Sequence, residues 1–129
     1  MLHCIVVTPE RTVCDERAEF VALPLYDGEL GVAPRHTPLI GRLGCGELRI
    51  AGQQVVSRFY VEGGFVEVLH DVVCVLTGRA IPAAELDPAV AEEQLQSVRK
   101  RPANTPDLIA ARQRLADQYR AQLRVASRA

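Results

Sequence analysis

Glycine stops abruptly in this chain. All nine glycines lie before Ile81, in a stretch rich in Val and Leu, and the remainder is built from Ala, Gln, Arg and Glu with no glycine at all. Glycine serves turns and bulges and weakens helix interiors, so its confinement to one side of a boundary separates two kinds of structure. A β module followed by a helical module is the simplest reading, and 129 residues suffice for one compact domain or a smaller one with an appendage.

Residues 2–8 are an apolar, β-branched run that ends at Pro9-Glu10, which predicts a strand entering a turn, with residues 12–14 as a short answering arm. Residues 20–25 resume strand character up to Asp27-Gly28, a dipeptide suited to a tight turn. From Gly28 to Leu39 the chain places Gly28, Glu29, Gly31, Pro34, His36 and Pro38 between two apolar runs, which predicts a rigid, exposed loop. Glu47-Leu48-Arg49-Ile50 then alternates as a half-buried strand does. Further strands are expected over 55–61, 65–69 and 72–76, with turns at 51–54, at Gly63-Gly64 and at His70-Asp71. Gly63-Gly64 itself reads as a bulge or close backbone approach, or else as a flat surface for another chain. Short strands at near-regular spacing predict an antiparallel sandwich of two packed sheets or a flattened barrel.

The helical part is punctuated clearly. Asp87-Pro88 and Thr105-Pro106 each pair an N-cap residue with a proline suited to the first turn. The first helix, over 88–100, carries Ala91, Leu95 and Val98 on one face; the second, over 106–126, carries Leu108, Leu115, Tyr119 and Leu123. Pro102-Ala103-Asn104 is short enough to force an antiparallel hairpin. Two narrow apolar stripes cannot hold such a hairpin together alone, so it must lean on the β module or on another subunit.

The net charge of -1 gives no overall signature of nucleic-acid binding, although the last third leans basic. Cys4, Cys14, Cys45 and Cys74 lie far apart without C-x-x-C spacing and without a signal peptide before them, which predicts free thiols in a reducing, cytosolic setting. No apolar run approaches the roughly twenty residues that span a bilayer, so membrane association is expected only through a partner. Glu29, His36, Cys45 and Asp71 are catalytic residue types near loops, yet no nucleophile elbow, zinc motif, phosphate loop or carboxylate pair accompanies them. His3, His36 and His70 with the cysteines show no metal-ligand spacing, so neither metal nor cofactor is expected. Arg112, Arg114, Arg120, Arg124 and Arg128 read either as a solvated face or as a cationic surface for acidic protein groups or nucleotide phosphates.

Taken together, these segments resemble the epsilon subunit family of F-type ATP synthases. Gly28-Glu29-Leu30-Gly31-Val32 with Pro34, His36 and Pro38-Leu39 is similar to that family's Gly-Glu-Leu-Gly-Ile, Pro, His, Pro-Leu segment. Gly63-Gly64-Phe65-Val66-Glu67-Val68 is similar to its Gly-Gly-x-x-Glu-Val signature, and Ala80-Ile81 with Leu86-Asp87 to its domain junction. The likeness runs over essentially the whole chain, with the final helices matching in pattern and in Gln122-Leu123-Arg124-Val125.

The resemblance implies a non-catalytic central-stalk subunit: a β-sandwich over residues 1–86 that binds the gamma subunit and the c-subunit ring, and a regulatory helical hairpin over 87–129. It implies ring contact through Gly28, Glu29, Leu30, Gly31, Val32, Pro34 and His36, with Glu29 offering a carboxylate and His36 shaping the contact. It also implies a hairpin that lies folded on the sandwich or extends to the alpha and beta subunits of the catalytic head, where Arg112, Arg114, Arg120 and Arg124 would make inhibitory contacts. Some members bind ATP through Ile/Leu-Asp-x-x-Arg-Ala; here Leu86, Asp87 and Ala91 match, valine replaces the arginine, and Arg120 and Arg124 resemble the second half of the site. The implied location is peripheral, at the cytoplasmic face of a bacterial membrane. A free-standing cytosolic sandwich whose hairpin senses a small ligand is the competing reading.

Overall fold

The computed structural model describes residues 1–128. Their strands are β1 (Leu2–Val7), β2 (Thr12–Ala18), β3 (Phe20–Leu25), β4 (Gly28–Val32), β5 (Leu39–Arg42), β6 (Cys45–Ala51), β7 (Val56–Glu62), β8 (Phe65–Leu69), β9 (Val72–Leu76) and β10 (Ala80–Pro82). They make two five-stranded sheets, the first ordered β2-β1-β9-β8-β5 and the second β10-β7-β6-β3-β4. Alternation along each strand turns one set of side chains inward. Leu2, Cys4, Val6, Val66, Val68, Val73 and Val75 from the first sheet meet Val21, Leu23, Val32, Leu48, Ile50, Phe59 and Val61 from the second in one buried core. This is the expected sandwich, with one departure: β1 lies parallel to β9, in register from His3 opposite Val72 to Val7 opposite Leu76.

Three strand expectations need correction. The segment expected to be loop from Gly28 onward is a strand as far as Val32, paired antiparallel with β3. Gly31 obscured the alternation, and its missing side chain is used: a Cβ there would sit 2.7 Å from the Phe20 ring, which lies over it. The arm expected at 12–14 runs to Ala18, because Asp15 and Arg17 point to solvent while Cys14 and Ala18 face the core. Residues 80–82, inside the expected sandwich but not expected as a strand, form β10 at an edge of the second sheet. Gly63 and Gly64 do form a close approach, with φ of +68° and +104° and a Cβ at Gly64 falling 1.9 Å from the Leu76 carbonyl oxygen.

The helices are α1 (Pro88–Arg99) and α2 (Pro106–Ser127). Asp87 accepts hydrogen bonds from the Ala89 and Val90 amides, and Thr105 accepts from Leu108, so both starts follow from capping chemistry. Leu95 and Val98 of α1 pack with Ala116, Leu115, Tyr119 and Leu123 of α2. Leu108, expected on the buried stripe, is exposed. A second face of α2, Ala121 and Val125, packs on Tyr60, Cys45, Ile81 and Leu86, and this docks the hairpin on the outer side of the second sheet. That face is built from alanines, Val125 and a buried glutamine, Gln122, so it carries no stripe of large apolar residues.

Candidate functional site

β4 is the edge of the second sheet opposite β10, and the residues expected to act as one loop are spread along it and into the crossover that follows. Glu29 is exposed near the Tyr26–Asp27 turn, opposite Pro24. His36 lies beyond the other end of the strand, in the crossover from β4 to β5, half-buried, its Nδ1 2.7 Å from the Thr37 carbonyl oxygen. From residue 29 to residue 32 alone the strand rises about 10 Å, so the two side chains do not share a site. Val32 is fully buried and Leu30 packs on the core, so these two support the edge from inside and are not presented to a partner. Gly28, Gly31 and Pro34 are exposed.

The first sheet turns an apolar outer face to solvent. Phe65 (57% exposed), Leu76 (50%), Leu69 (41%) and Ile40 (74%) stand on it. Strand register sets Phe65 beside Leu76, Leu76 beside Val7, Cys74 beside Ile5 and Leu69 beside Val72, while Ile40 lies opposite the exposed Glu67, which separates Phe65 from Leu69. Sequence reading missed this face, although β9 (Val-Val-Cys-Val-Leu) is apolar at both alternating sets of positions, a sign that both its faces are meant to be covered.

The outer face of the second sheet is polar where α2 ends. Glu47 of β6, Arg58 of β7 and Arg128 meet there, with Arg58 Nη2 2.6 Å and Arg128 Nη1 3.3 Å from the Glu47 carboxylate. Burial raises the pKa of Glu47, and the hydrogen bonds and charge of Arg58 outweigh it, so the net shift is downward. Glu29 lines the groove beside this cluster, together with Arg124 and Arg128.

A neighbouring groove between the sandwich and α2 is lined by Tyr26, Arg42, Arg114, Arg120 and Arg124, with Asp117 accepting from Arg120 at 3.2 Å. Leu86, Asp87 and Ala91 are elsewhere: Leu86 packs under α2, Asp87 caps α1, and Ala91 is buried. Arg112 donates to the Arg101 carbonyl at 3.1 Å, at the hairpin turn. The four thiols are free, and burial pushes those of Cys4 and Cys14 up to about 12, which leaves them weak nucleophiles. Among the described residues no helix is long and apolar enough to cross a membrane.

One sheet is partly covered by α2, over β6 and β7, and the other leaves Phe65, Leu69, Leu76 and Ile40 open: a sandwich with an appended helical hairpin is the class of protein this fold defines. Residues 1–83 match the family model of the ATP synthase Delta/Epsilon chain β-sandwich domain. The chain is 47% identical over 123 residues to the ATP synthase epsilon chain of Rhodopirellula baltica, covering 95% of this chain and 96% of that one. It is 45% identical over 96 residues to the epsilon chain of Desulforudis audaxviator, covering 74% and 70%. The same fold occurs in a chain of the Euglena gracilis mitochondrial ATP synthase (OSCP/F1/c-ring), with TM-score 0.88, 18% identity and coverage of 98% and 81%. It occurs also in the central stalk and c-ring structure of Tetrahymena thermophila mitochondrial ATP synthase, with TM-score 0.78, 14% identity and coverage of 98% and 96%. The chain belongs to the ATP synthase epsilon chain family.

Proposed function

We propose that the chain is a non-catalytic rotor subunit of the central stalk, which joins the gamma subunit to the c-subunit ring and restrains ATP hydrolysis through its hairpin. The observation that carries this is the open apolar face of the first sheet, around Phe65, Leu69, Leu76 and Ile40. Large apolar side chains grouped on an exposed sheet face, here around a single carboxylate, Glu67, suit a protein interface, and gamma is the partner assigned to it.

The β4 edge, with Glu29 near one end and His36 beyond the other, is assigned to the ring. A carboxylate on an exposed sheet edge can meet basic groups of a partner without prior rearrangement. The hairpin is seen folded; in the inhibitory state it extends towards the alpha and beta subunits, with Arg114 and Arg124 already exposed on α2. The sandwich and hairpin, at 1–86 and 87–129, are then the anchoring and regulatory units. Membrane association is peripheral, through the complex on its cytoplasmic face. No direct contact with nucleic acid or lipid is part of this reading.

Co-purification tests it. The chain is expected to come down with gamma and to remain with the membrane fraction until the catalytic head is stripped. A monomeric protein that leaves the membranes without those partners overturns the reading. The groove of Arg42, Arg114, Arg120 and Arg124 favours a second reading, a free-standing ligand sensor that takes nucleotide phosphates. Calorimetry with ATP on the isolated chain discriminates, and no heat at millimolar concentration eliminates the sensor.

A further inference from the structure

The side chain of Glu47 is only 6% exposed, and three guanidiniums converge on it. Arg49 donates to Oε1 at 3.1 Å and Arg128 to the same oxygen at 3.3 Å. Arg58 donates to Oε2 through Nε at 2.9 Å and through Nη2 at 2.6 Å, a fork of two bonds onto one oxygen. The same Arg58 has donors left over. Nη2 also donates to the Val125 carbonyl at 2.9 Å, and Nη1 donates to the Arg128 carbonyl at 3.1 Å.

Val125 lies in the last turn of α2, where carbonyls have no partner within the helix and the helix dipole is negative. A single guanidinium therefore ties a buried carboxylate of β6 to the open end of α2. Three cations around one carboxylate also leave positive charge beneath that negative end. The apolar contact beside it is modest, since α2 contributes only Ala121 and Val125 to the cluster on Tyr60. Two small side chains do not fix where along the sheet a 22-residue helix comes to rest. An arginine fork does, because its donors are fixed in a plane and require their acceptors in set directions.

We propose that Glu47 and Arg58 form the latch that holds the hairpin down, with Glu47 orienting Arg58 and Arg58 gripping the C-terminal carbonyls of α2. The latch rests on the proposed two positions of the hairpin, and extension begins when the bonds to Val125 and Arg128 break. Glu47 and Arg58 stay paired on the sandwich throughout, ready to recapture the helix.

Hydrogen exchange on the isolated full-length chain tests the latch, with wild type compared against Glu47→Gln, Arg58→Met and Arg58→Lys. Amides of residues 121–127 are expected to exchange about tenfold faster or more in Arg58→Met and Glu47→Gln. Lysine, a point charge whose three donors lack the planar fork, should leave them nearly as fast as methionine does. Core amides of β3 and β9 should keep wild-type protection. Unchanged protection at 121–127 in Arg58→Met, with the core intact, overturns the latch. Should Arg58→Met also loosen the core, Arg128→Glu decides: it puts a second carboxylate beside Glu47 from an exposed position, so faster exchange at 121–127 upholds the latch and unchanged exchange overturns it. ATP hydrolysis by the assembled enzyme carrying Arg58→Met separates latch from regulation. Faster exchange with unchanged hydrolysis upholds the latch and overturns the inhibitory role of the hairpin.

Discussion

The carboxylate of Asp71, in the turn between β8 and β9, accepts a 2.6 Å hydrogen bond from the backbone N–H of Arg35, in the crossover between β4 and β5. Arg35 has φ of +66°, a left-handed conformation unfavourable for a residue with a Cβ. The Asp71 carbonyl also accepts from the His3 amide at 2.8 Å, so one turn residue ties the crossover to the start of β1. Asp71→Ala is therefore expected to leave the fold intact, with a cost of about 1–2 kcal/mol for one exposed charge-assisted bond and for an alanine at φ of +62°, which aspartate tolerates better. The Arg35 amide should lose its exchange protection, and NMR shifts should change at residues 33–38. Unaltered exchange at Arg35 would show that the loop keeps its shape without this bond.

Gly64 and Leu76 impose a harder constraint. A Cβ at Gly64 would lie 1.9 Å from a backbone oxygen, and φ of +104° is strained for any side chain. Nothing flexible can yield, so Gly64→Ala must displace β9 or the β7–β8 connection. A loss of about 3 kcal/mol or more is expected, at the severe end for single substitutions. Chemical denaturation of Gly63→Ala provides the comparison, because a Cβ there meets nothing within 4 Å and only φ of +68° opposes it. Equal losses in the two variants would remove the steric explanation.

These two cases mark what was legible in the sequence. A glycine pair at a strand break announces itself, as do Asp87-Pro88 and Thr105-Pro106, because turn and cap chemistry is local. Helix starts therefore fell where expected, while β4 did not, since Gly31 and the flanking prolines resembled loop composition. The parallel β1–β9 pair joins the two ends of the sandwich and has no local signature. The same holds for the Glu47 cluster: Glu47 and Arg128 are 81 residues apart, and the alternation of Glu47 and Arg49 shows only that both point away from the core. Surfaces formed by distant segments required the fold; residues that shape the chain locally did not.

The depressed pKa of Glu47 makes stability depend on pH with a definite sign. Burial opposes its charge, but Arg58, Arg128 and Arg49 together favour the ionised form. A carboxylate with a folded pKa below its unfolded value binds fewer protons when folded, so its stabilising contribution is full above the unfolded value, about 4.3, and fades as pH falls through the folded one. Arg124 and Glu29 also line this region, and neither arginine nor an exposed carboxylate reverses the sign. Melting temperatures of wild type and Glu47→Gln should thus differ at pH 7 and begin to converge once the pH falls below about 4.3. A gap that stays constant with pH would assign the loss to packing.

Removing residues 87–129 should leave a folded sandwich, because its buried core contains no residue from the hairpin. The truncation uncovers Tyr60 and Cys45 and strips Arg58 of its helix acceptors, while the bonds from Arg58 to Glu47 remain available. Assembly with gamma and the ring should persist, and hydrolysis by the complex should rise. Unchanged hydrolysis in a fully assembled complex would count against a hairpin that inhibits.

Glu29 sits where two roles meet. It is exposed on the β4 edge proposed to face the ring, and it lines the groove that holds Arg124 and Arg128 of the docked hairpin. Glu29→Lys reverses the charge offered to the ring and also places a cation among those arginines, so weaker coupling between ion flow and ATP turnover could arise by either route. The truncated background separates them. With residues 87–129 removed, neither of those two arginines remains for the introduced lysine to repel, and a coupling defect that persists belongs to the ring contact. A defect that vanishes on truncation belongs to the hairpin, and normal coupling in both backgrounds would show that the contact does not depend on this charge. Raised salt offers an internal check: an exposed ionic contact weakens as the screening length falls to about 3 Å near 1 M, so wild type should approach the variant under those conditions.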